Sequence, residues 1–362
     1  MKKYILLLSL VFLLCNCSSS NETGSNDSSS NNNTSSNWAE VPFNGDYGVI
    51  QSSCTNGQDL FIGTAGQGIY KSVDGGKNWI PINNGLIDKQ MCKIYYLDNT
   101  LYATTSAVSH GVPANTRIYK SIDNGNTWVS VWNTLYGYSA IESSYHSSTI
   151  VSQATAPYIY GSVGTIAIID SNIFVTIGSY VFKSNNNGVD WKWVETFDLN
   201  NQYIGKQLLK VNSNIFLLSS YLGSNVSGQI YKSLDGGNNF SLMNNNFNKE
   251  RSIASIALSN NNFFIATGSG DTPGNIYRTD ENVSTLTLSM KNDISPTAVI
   301  CFYSIDNNIF ASRKDEVFKS KDNGSNWEQL GGKVDGGTCY NIFKIGNFIY
   351  VVTSTKIYKI NY

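Results

Sequence analysis

Short stretches in which apolar and polar residues alternate recur along the chain from Trp38 onward, and a polar turn follows many of them. One stretch begins Ile69-Tyr-Lys-Ser, passes through the polar run Val-Asp-Gly-Gly-Lys-Asn and ends at Trp79. Alternation with a period of two is typical of β-strands, and clusters of Asp, Asn and Gly are typical of turns. The pattern therefore predicts many short strands joined by polar turns.

This strand-and-turn pattern is an internal repeat with the form Ser-x-Asp-x-Gly-x-x-Trp. Further good copies begin at Ile118, Val181, Ile230 and Val317, a decayed copy begins at Ile276, and a half copy begins at Ile357. The third copy has Asn in place of Asp, and the fourth has Phe in place of Trp. The repeated positions are Ser72, Asp74, Gly76, Trp79, Ser121, Asp123, Gly125, Trp128, Ser184, Gly188, Trp191, Ser233, Asp235, Gly237, Phe240, Ser320, Asp322, Gly324 and Trp327.

The residue types of this repeat suit a structural turn. Ser and Asp side chains hydrogen-bond the backbone groups that a tight turn leaves unpaired, and Gly adopts a positive φ without strain. The Trp begins the next strand as a large packing residue. We therefore predict that the repeated aspartates form turns and are neither catalytic residues nor metal ligands.

The repeat resembles the Asp-box, also called the bacterial neuraminidase repeat, and the resemblance spans the globular part of the chain. That superfamily consists of β-propellers and includes sialidases, xyloglucan-cleaving glycosidases, sortilin-type receptors and photosystem-assembly propellers. The resemblance implies an all-β propeller, but it does not fix a function because one fold serves many. The turn between Ser and Trp in each copy is called the box turn below.

The number of repeats predicts a seven-bladed β-propeller. An apolar strand centred on an aromatic residue precedes each copy, and these anchors are Phe61, Tyr102, Phe174, Phe216, Phe264, Phe310 and Tyr350. Seven units of roughly 46 residues fill the chain from Trp38 to Tyr362, which suits blades of four antiparallel strands. The last unit lacks its outer strand, and Trp38 is spaced like an outer-strand Trp. We predict that residues 37–43 pair with the strand at Ile357–Tyr362 and close the ring.

The first 36 residues predict export and anchoring. Residues 1–17 have a basic start, an apolar stretch and the sequence Leu14-Cys-Asn-Cys17, which resembles a bacterial lipoprotein signal. The resemblance implies a lipid on Cys17, with Cys15 or an ordinary cleaved secretory signal as alternatives. Residues 18–36 are rich in Ser and Asn and predict a disordered tether, and residues 37–362 form the propeller domain. We expect a lipid-anchored, extracytoplasmic protein of the bacterial envelope, periplasmic or on the outer surface.

Composition excludes several kinds of partner and cofactor. The 25 basic and 26 acidic residues give a net charge of −1, so no basic field would hold nucleic acid. Two histidines and no C-x-x-C motif make a metal site improbable on sequence grounds, and we expect no cofactor. We predict buried free thiols at Cys54, Cys92, Cys301 and Cys339. The alternatives are disulfides between Cys54 and Cys92 or between Cys301 and Cys339.

Connection lengths indicate which face of the propeller carries the function. With strands A to D numbered from the centre outward, the B-to-C connections of blades 2, 4 and 5 are long. The D-to-A connection into blade 3, residues 133–162, is also long. In an up-and-down blade these connections emerge on one face, opposite the box turns. Because loops on a rigid scaffold carry most binding sites, we predict that this loop-bearing face of blades 2–5 binds a ligand.

The long loops contain the candidate ligand-binding residues. Most of these are tyrosines, whose rings can stack on sugars or anchor peptides. The candidates are His110, Tyr136, Tyr138, Glu142, Tyr145, His146, Tyr158, Tyr160, Tyr221 and Asp271. The alternative for the tyrosines is that they pack the long insertion onto the propeller. The expected partner is a glycan or a cell-envelope or host protein, bound by a monomer that contacts the membrane only through its lipid.

Two other functions are considered, a divergent glycoside hydrolase and an envelope assembly scaffold. A hydrolase needs two facing carboxylates, and Glu142 and Asp271 are candidates by location alone. The sialidases of this superfamily have six blades, an Arg-Ile-Pro motif and three arginines that grip the substrate. This chain has seven predicted blades, no such motif, and only Arg117, Arg251, Arg278 and Arg313. We therefore expect a binding protein with no catalytic residues.

Overall fold

The computed structural model describes most of the chain from residue 37 onward, and every regular element that it describes is a β-strand. The described residues are 37–43, 48–90, 92–106, 116–133, 150–152, 163–178, 180–196, 203–221, 228–243, 253–259, 262–267, 275–280, 287–290, 299–313, 315–337 and 339–362. Within them no helix is long and apolar enough to cross a membrane. The predicted signal, tether and lipidated Cys17 lie outside these residues.

The strands form seven antiparallel sheets, and each sheet is one blade. Blades 1 to 3 contain β2 (Ile50–Thr55), β3 (Leu60–Thr64), β4 (Ile69–Ser72) and β5 (Ile80–Pro81); β6 (Lys93–Leu97), β7 (Thr100–Ser106), β8 (Thr116–Ser121) and β9 (Val129–Asn133); and β11 (Val163–Ile169), β12 (Asn172–Ile177), β13 (Tyr180–Ser184) and β14 (Asp190–Thr196), with β10 (Ile150–Ser152) outside β14.

Blades 4 to 7 repeat the same order. They contain β15 (Tyr203–Val211), β16 (Asn214–Tyr221), β17 (Gln229–Ser233) and β18 (Ser241–Leu242); β19 (Ile253–Ser259), β20 (Asn262–Thr267), β21 (Ile276–Thr279) and β22 (Thr287–Met290); β23 (Val299–Ile305), β24 (Asn308–Arg313), β25 (Glu316–Ser320) and β26 (Glu328–Gln329); and β27 (Cys339–Ile345), β28 (Phe348–Thr353), β29 (Ile357–Asn361) and β1 (Ala39–Val41). The inner strand of each blade contacts the inner strands of both neighbours, so the ring is closed. The all-β, seven-bladed prediction is confirmed.

Ring closure follows the prediction. Strand β1 pairs antiparallel with β29, with Ala39 opposite Lys359 and Val41 opposite Ile357. Trp38 is 7% exposed and packs in the cluster that joins blades 6 and 7. The N-terminal strand thus supplies the outer edge of the last blade.

Blade 3 has a feature that the sequence did not indicate. Ile150–Ser152 lies within the predicted loop insertion and forms a fifth strand on the outer edge of the blade. Ile150 lies opposite Lys192, and Ser152 lies opposite Asp190. A long outer strand leaves a row of unpaired backbone groups, and β-branched residues readily add to such an edge. These three residues of the insertion therefore lie on the outer edge of the blade.

The core lies between blades. Seven buried clusters match the seven interfaces between neighbouring blades, and each contains apolar residues from both. All seven aromatic anchors are at most 3% exposed. Burial of these side chains contributes most of the stabilisation, because transfer of apolar area from water is the main driving force for folding. The anchors therefore hold the blades to one another.

The three described cysteines are not in disulfide bonds. Cys54, Cys92 and Cys339 are free and buried, as predicted, so neither of the two alternative disulfides is formed. Burial raises the pKa of the Cys54 thiol well above its usual value, and burial followed by the charge of Asp88 raises that of Cys92 to about 12. Such thiols are unreactive, and these residues act as small core side chains.

Candidate functional site

The box turns are held by hydrogen bonds within the turn. In blade 1 the Ser72 hydroxyl donates to the Asp74 carboxylate at 2.8 Å and accepts from the Gly76 amide at 2.8 Å. The Asn78 amide donates to the same carboxylate at 2.9 Å. The turns that begin at Ser121, Ser233 and Ser320 repeat this set of bonds. The prediction that these residues form turns is supported by the geometry.

The electrostatics of the box turns point the same way. The backbone amide of Asn78, its side-chain amide and the Ser72 hydroxyl lower the pKa of Asp74 to about 2. In blade 3 the uncharged Asn186 accepts the equivalent amide bond, from Asp190 at 2.9 Å. Because the neutral Asn186 side chain accepts the same hydrogen bond, the turn does not require a negative charge. The carboxylates of the box turns accept hydrogen bonds from backbone amides of the same turn.

The tryptophans that follow the box turns connect neighbouring blades at the rim. The Trp128 indole nitrogen donates to the Ile82 carbonyl of blade 1 at 2.7 Å, and that of Trp191 donates to Val131 of blade 2 at 3.1 Å. Trp38, Trp79 and Trp327 make corresponding bonds to the preceding blade. These tryptophans therefore join each of these blades to the blade before it.

The repeated lysine on strand C is also structural, a role that sequence reasoning missed. Lys183 lies over the Phe174 ring at 5.4 Å and donates to the Gly236 carbonyl in the next box turn at 2.9 Å. Lys120 donates in the same way to the Asn187 carbonyl at 3.2 Å. The sequence did contain a signal of this role, because a lysine directly precedes the box-turn serine in all five good copies of the repeat. Lys183 thus contacts both an aromatic anchor and the following blade.

The arginines do not converge into an anion clamp among the residues described. Arg278 takes the place of the repeated lysine and donates to the Asn323 carbonyl of the next box turn at 2.9 Å. Arg117 lies 3.4 Å from Asp88. Arg313 is buried over the Phe318 ring at 5.3 Å. Arg251 lies outside the described residues.

The predicted ligand-binding residues fall almost entirely outside the described chain. This holds for His110, Tyr136, Tyr138, Glu142, Tyr145, His146, Tyr158, Tyr160 and Asp271. Tyr221 ends strand β16, and only its backbone is described. Their roles therefore stay predictions. The strand ends from which their connections leave lie on one side of blades 2, 4 and 5, opposite the box turns.

The inner strands carry a second set of contacts between blades. The Ile94 amide donates to the Ser52 hydroxyl of the preceding blade at 2.7 Å. The Ile256 amide donates to the side-chain oxygen of Gln207 at 3.1 Å, and the same amide side chain donates back to the Ile256 carbonyl. Asn341 donates to the Ser53 carbonyl of blade 1 at 2.6 Å. At this position a neutral polar side chain joins each of three blades to the next.

Blade 2 departs from this pattern because it has a lysine at the same position. Lys93 is 9% exposed, and its ammonium donates to the Val163 carbonyl of blade 3 at 3.1 Å. Burial, followed by the charge of Lys206 on blade 4, lowers the pKa of Lys93 to about 8. Within the described part of the chain no carboxylate forms an ion pair with Lys93. A buried cation replaces the neutral contact here.

Backbone packing brings this part of the ring together. A Cβ atom on Gly164 would lie 1.7 Å from the Gly205 carbonyl oxygen, so only glycine lets strands β11 and β15 approach so closely. Lys206 follows Gly205 directly. We call the region formed by Lys93, Val163, Gly164, Gly205 and Lys206 the inner mouth. It lies at the end of the inner strands from which the loops of blades 2, 3 and 4 emerge.

The chemistry available at the inner mouth is cationic. The Lys93 ammonium is buried and donates to the Val163 carbonyl. Across the described residues no group of three or more His, Cys, Asp or Glu side chains could hold a metal ion. Lys93 and Lys206 are the titratable side chains of the inner mouth.

Comparison with known proteins identifies the fold alone. No protein-family model matches the chain, and no curated protein matches it. Among solved structures the chain is similar to YCF48 bound to D1 peptide, with a TM-score of 0.60 and 13% identity over 90% of this chain and 97% of that one.

Two larger proteins contain a similar propeller. The GH74 xyloglucanase from Xanthomonas campestris has a TM-score of 0.61 and 13% identity, and the match covers 90% of this chain and 53% of that one. The extracellular domain of the putative one component system BT4673 from B. thetaiotaomicron has a TM-score of 0.60 and 10% identity, and the match covers 91% of this chain and 40% of that one. The chain thus spans about half or less of these two structures.

Proposed function

We propose that this protein is a lipid-anchored, extracytoplasmic binding protein of the bacterial envelope. It recognises a glycan or a protein through the loop-bearing face of blades 2–5. The observation that carries the proposal is the contrast between the two faces. The box turns on one face are occupied by structural bonds, as in the contacts of Asp74, whereas the long connections leave from the other. Rigid scaffolds with variable loops on one face are a common design for recognition.

The position of the chain ends supports this use of the loop-bearing face. The last residue of β29 and the first residue of β1 meet where the other blades have a box turn. The Tyr362 amide donates to the carbonyl of Asn347, in the turn between β27 and β28 on that same side. A tether that leads to Cys17 would therefore leave from the box-turn face. The loops would point away from the membrane, toward a ligand.

The structural neighbours support binding as a role that this fold performs. YCF48 was solved with a bound peptide, and BT4673 contributes an extracellular domain. Identities of 10% to 13% transfer no ligand to this chain. The candidates for recognition here are the tyrosines of the blade 3 insertion, which provide flat apolar rings with a polar end.

The test is a glycan array with the full chain, accompanied by crosslinking to intact bacterial envelopes. A triple variant, Tyr136→Ala with Tyr138→Ala and Tyr145→Ala, should weaken binding at least about tenfold, because aromatic anchors dominate binding energy. A matched control alters the opposite face at Val73→Ser and Ile122→Ser, whose side chains are 65% and 81% exposed on box turns. This control should bind like the wild type.

Three results would each overturn a part of the proposal. If the box-turn control loses as much binding as the triple tyrosine variant, recognition does not depend on the loop-bearing face alone. Turnover of an aryl glycoside or a sialoside by the wild type, lost in Glu142→Gln or Asp271→Asn, would make the protein a glycoside hydrolase. Radioactive palmitate labelling that survives Cys17→Ala would remove the lipid anchor at that residue and leave Cys15 as its site.

A further inference from the structure

We propose that the box-turn face of blades 1–4 docks on the surface of the lipid bilayer that anchors the protein. The contacts are made by four exposed aliphatic side chains, called the apolar tips below: Val73, Ile122, Val189 and Leu234. The inference rests on the proposed function and deepens it, because it names the surface on which the anchored propeller sits while its loops bind a ligand. It uses none of the loop residues, so the two proposals can fail separately.

The apolar tips are among the most exposed large hydrophobic side chains of the described chain. Val73 is 65% exposed, Ile122 is 81%, Val189 is 60% and Leu234 is 74%. Each lies in a box turn, and the four turns belong to blades 1, 2, 3 and 4 in order. The tips therefore project from one face of four consecutive blades. Single exposed apolar residues are common on protein surfaces, whereas a set gathered on one face indicates an interaction surface.

The box turn itself does not require an apolar residue at these positions. Its hydrogen bonds come from the Ser hydroxyl, the Asp or Asn side chain and backbone amides. Three of the tips directly follow the turn serine, where blade 3 has the exposed Asn185 and blade 6 has Lys321. Both of those turns form the same bonds between the serine, the Asp or Asn and the glycine amide. Folding of the turn therefore does not explain the apolar tips.

The charges around the apolar tips nearly cancel. The box turns of blades 1–4, each taken with the lysine that precedes it, contain five lysines and four aspartates. These residues are Lys71, Lys77, Lys120, Lys183, Lys232, Asp74, Asp123, Asp190 and Asp235. A surface with so little net charge gains little from anionic lipid, so apolar contact decides where it binds. A zwitterionic bilayer of phosphatidylethanolamine matches this balance.

The point at which the predicted tether joins the propeller brings this face to the bilayer. Asn37 precedes β1, whose first residues pair with the last residues of β29 where other blades have a box turn. Nineteen residues, 18–36, separate Asn37 from Cys17. A coil of that length has an average end-to-end distance of about 25 Å. A lipid on Cys17 would hold the box-turn face near the bilayer, and the high effective concentration makes weak apolar contacts sufficient for docking.

The spacing of the apolar tips favours a bilayer over a second protein. Each tip lies on its own turn and is accompanied by exposed polar side chains, such as Asn78 in blade 1 and Asn239 in blade 4. Protein interfaces have a continuous apolar core with a polar rim. The interfacial layer of a bilayer accepts apolar and polar groups side by side, because headgroups and water lie next to the acyl chains.

The experiment uses the lipidated full chain, with the lipid verified by mass, in vesicles of phosphatidylethanolamine and phosphatidylcholine. Ile122→Cys carries a nitrobenzoxadiazole label, and quenching by doxyl-labelled lipid reports its contact with the bilayer. Ile87→Cys is the matched control, because Ile87 is 70% exposed on the connection from blade 1 to blade 2, on the loop-bearing face. Doxyl lipid should quench at least about half of the emission at position 122 and less than about a tenth at position 87. Protein without an added cysteine gives the background from native thiols.

Removal of other tips tests whether they act together. Val73→Ser with Leu234→Ser, added to Ile122→Cys, should lower the quenching at least about threefold, because apolar area drives the docking. Val49→Ser with Ile87→Ser removes two exposed aliphatic side chains from the loop-bearing face and should leave the quenching unchanged. Quenching should also change by less than about a fifth between about 0.05 M and about 0.5 M salt, because screening does not weaken apolar contacts.

Several outcomes would overturn the inference. One is equal quenching at positions 122 and 87, and another is quenching at position 122 that survives Val73→Ser with Leu234→Ser. Quenching that disappears at high salt would make the contact electrostatic. Label emission at position 122 that rises with the ratio of protein to lipid, without quenching by doxyl lipid, would assign the face to a second copy of the chain.

The inference and the proposed function are separated by one further comparison. The triple tyrosine variant of the loops should dock on vesicles like the wild type, and Val73→Ser with Ile122→Ser should bind the glycan-array ligand like the wild type. If the labelled tips show no contact with lipid while the loop variant loses its ligand, the inference fails and the proposed function stands. If the tips contact lipid but ligand binding survives in the loop variant, the inference stands and recognition by the loops fails.

Discussion

The indole nitrogen of Trp38 lies 3.1 Å from the carbonyl oxygen of Leu330, 292 positions later in the chain. The equivalent bond in blade 2 joins Trp128 to Ile82 of the preceding blade at 2.7 Å. Trp38 therefore has in blade 7 the role that Trp128 has in blade 2. The two ends of the domain are held together by the same contact that joins consecutive blades.

Replacement of Trp38 by Ala should open the ring at this point. The change removes a 93% buried side chain and its hydrogen bond, for which an expected loss is about 3–5 kcal/mol in the free energy of unfolding. Urea unfolding followed by tryptophan fluorescence and circular dichroism measures the loss. Trp38→Phe retains most of the packing and should cost only about 1–2 kcal/mol. An unfolding midpoint unchanged in Trp38→Ala would show that closure adds no stability.

Closure could be predicted from the sequence because its signals are local and repeated. Trp38 is spaced from Phe61 as other outer-strand residues are from the next anchor, and the final unit ends at strand C. The fifth strand of blade 3 could not be predicted. Ile150–Ser152 is a three-residue segment without a turn signal. It forms a strand because it pairs with the otherwise unpaired outer edge of β14. Tertiary contacts of this kind leave no periodic trace in the sequence.

The two adjacent glycines of the blade 4 box turn should tolerate substitution differently. Both have a positive φ, +70° at Gly236 and +79° at Gly237. A Cβ atom on Gly236 would meet nothing within 4 Å, whereas one on Gly237 would lie 2.5 Å from the buried Phe174 ring. Gly236→Ala should cost about 1 kcal/mol from backbone strain, and Gly237→Ala should cost clearly more because the ring must also move. Thermal unfolding of the two variants tests the difference.

The equivalent position in another blade supplies the control for this pair. Blade 2 has Asn124 where blade 4 has Gly236, with a φ of +59°. Asn adopts the left-handed region more readily than Ala. Gly236→Asn should therefore be more stable than Gly236→Ala. Similar losses in Gly236→Ala and Gly237→Ala would contradict the steric role of Phe174.

The box-turn aspartates should make the stability of the fold fall at acidic pH. The side-chain hydroxyl of Thr127, followed by its amide and the Ser121 hydroxyl, lowers the pKa of Asp123 from 3.8 to about 2. A carboxyl whose pKa is lower in the folded state stabilises the fold above the unfolded value. That contribution is lost as the pH falls from about 4 to about 2. Unfolding in urea at a series of pH values between 2 and 7 measures it.

The chain itself provides the variant that isolates this effect. Asp123→Asn copies Asn186 of blade 3, which makes the equivalent bond to a backbone amide without a titrating group. The variant should fold, and its unfolding should depend less on pH below 4 than that of the wild type. An identical acid dependence in both proteins would mean that Asp123 does not contribute to it.

The inner mouth shows why a site can escape sequence reasoning. Lys93 and Lys206 lie in blades 2 and 4, on either side of blade 3, whose strand β11 closely approaches β15 at Gly164 and Gly205. A signal was present in the alignment of inner strands, where Lys93 corresponds to Ser52 and Asn341. It becomes visible only when strand register is known. The loop tyrosines remain predictions because their positions depend on a long insertion and not on the repeat.

Loss of the charge at Lys93 should stabilise the fold. Burial and the charge of Lys206 lower the pKa of Lys93 from 10.5 to about 8, so the protonated form is disfavoured in the folded state. Between these two values the unfolded chain binds more protons than the folded one, and the stability of the wild type should rise with pH. Lys93→Met lacks this group and should show no such rise. At pH 7 it should exceed the wild type by about 1–3 kcal/mol.

Urea unfolding at pH 7 and pH 9 compares the variant with Lys210→Met, a change at a surface ion pair that should alter stability by less than about 0.5 kcal/mol. A Lys93→Met protein that is more stable would show that the buried charge costs more than its bond to the Val163 carbonyl contributes. A protein less stable than the wild type would instead mean that the bond to the Val163 carbonyl outweighs the cost of the buried charge. In that case Lys93 would be one more contact between blades, comparable to Ser52 and Asn341.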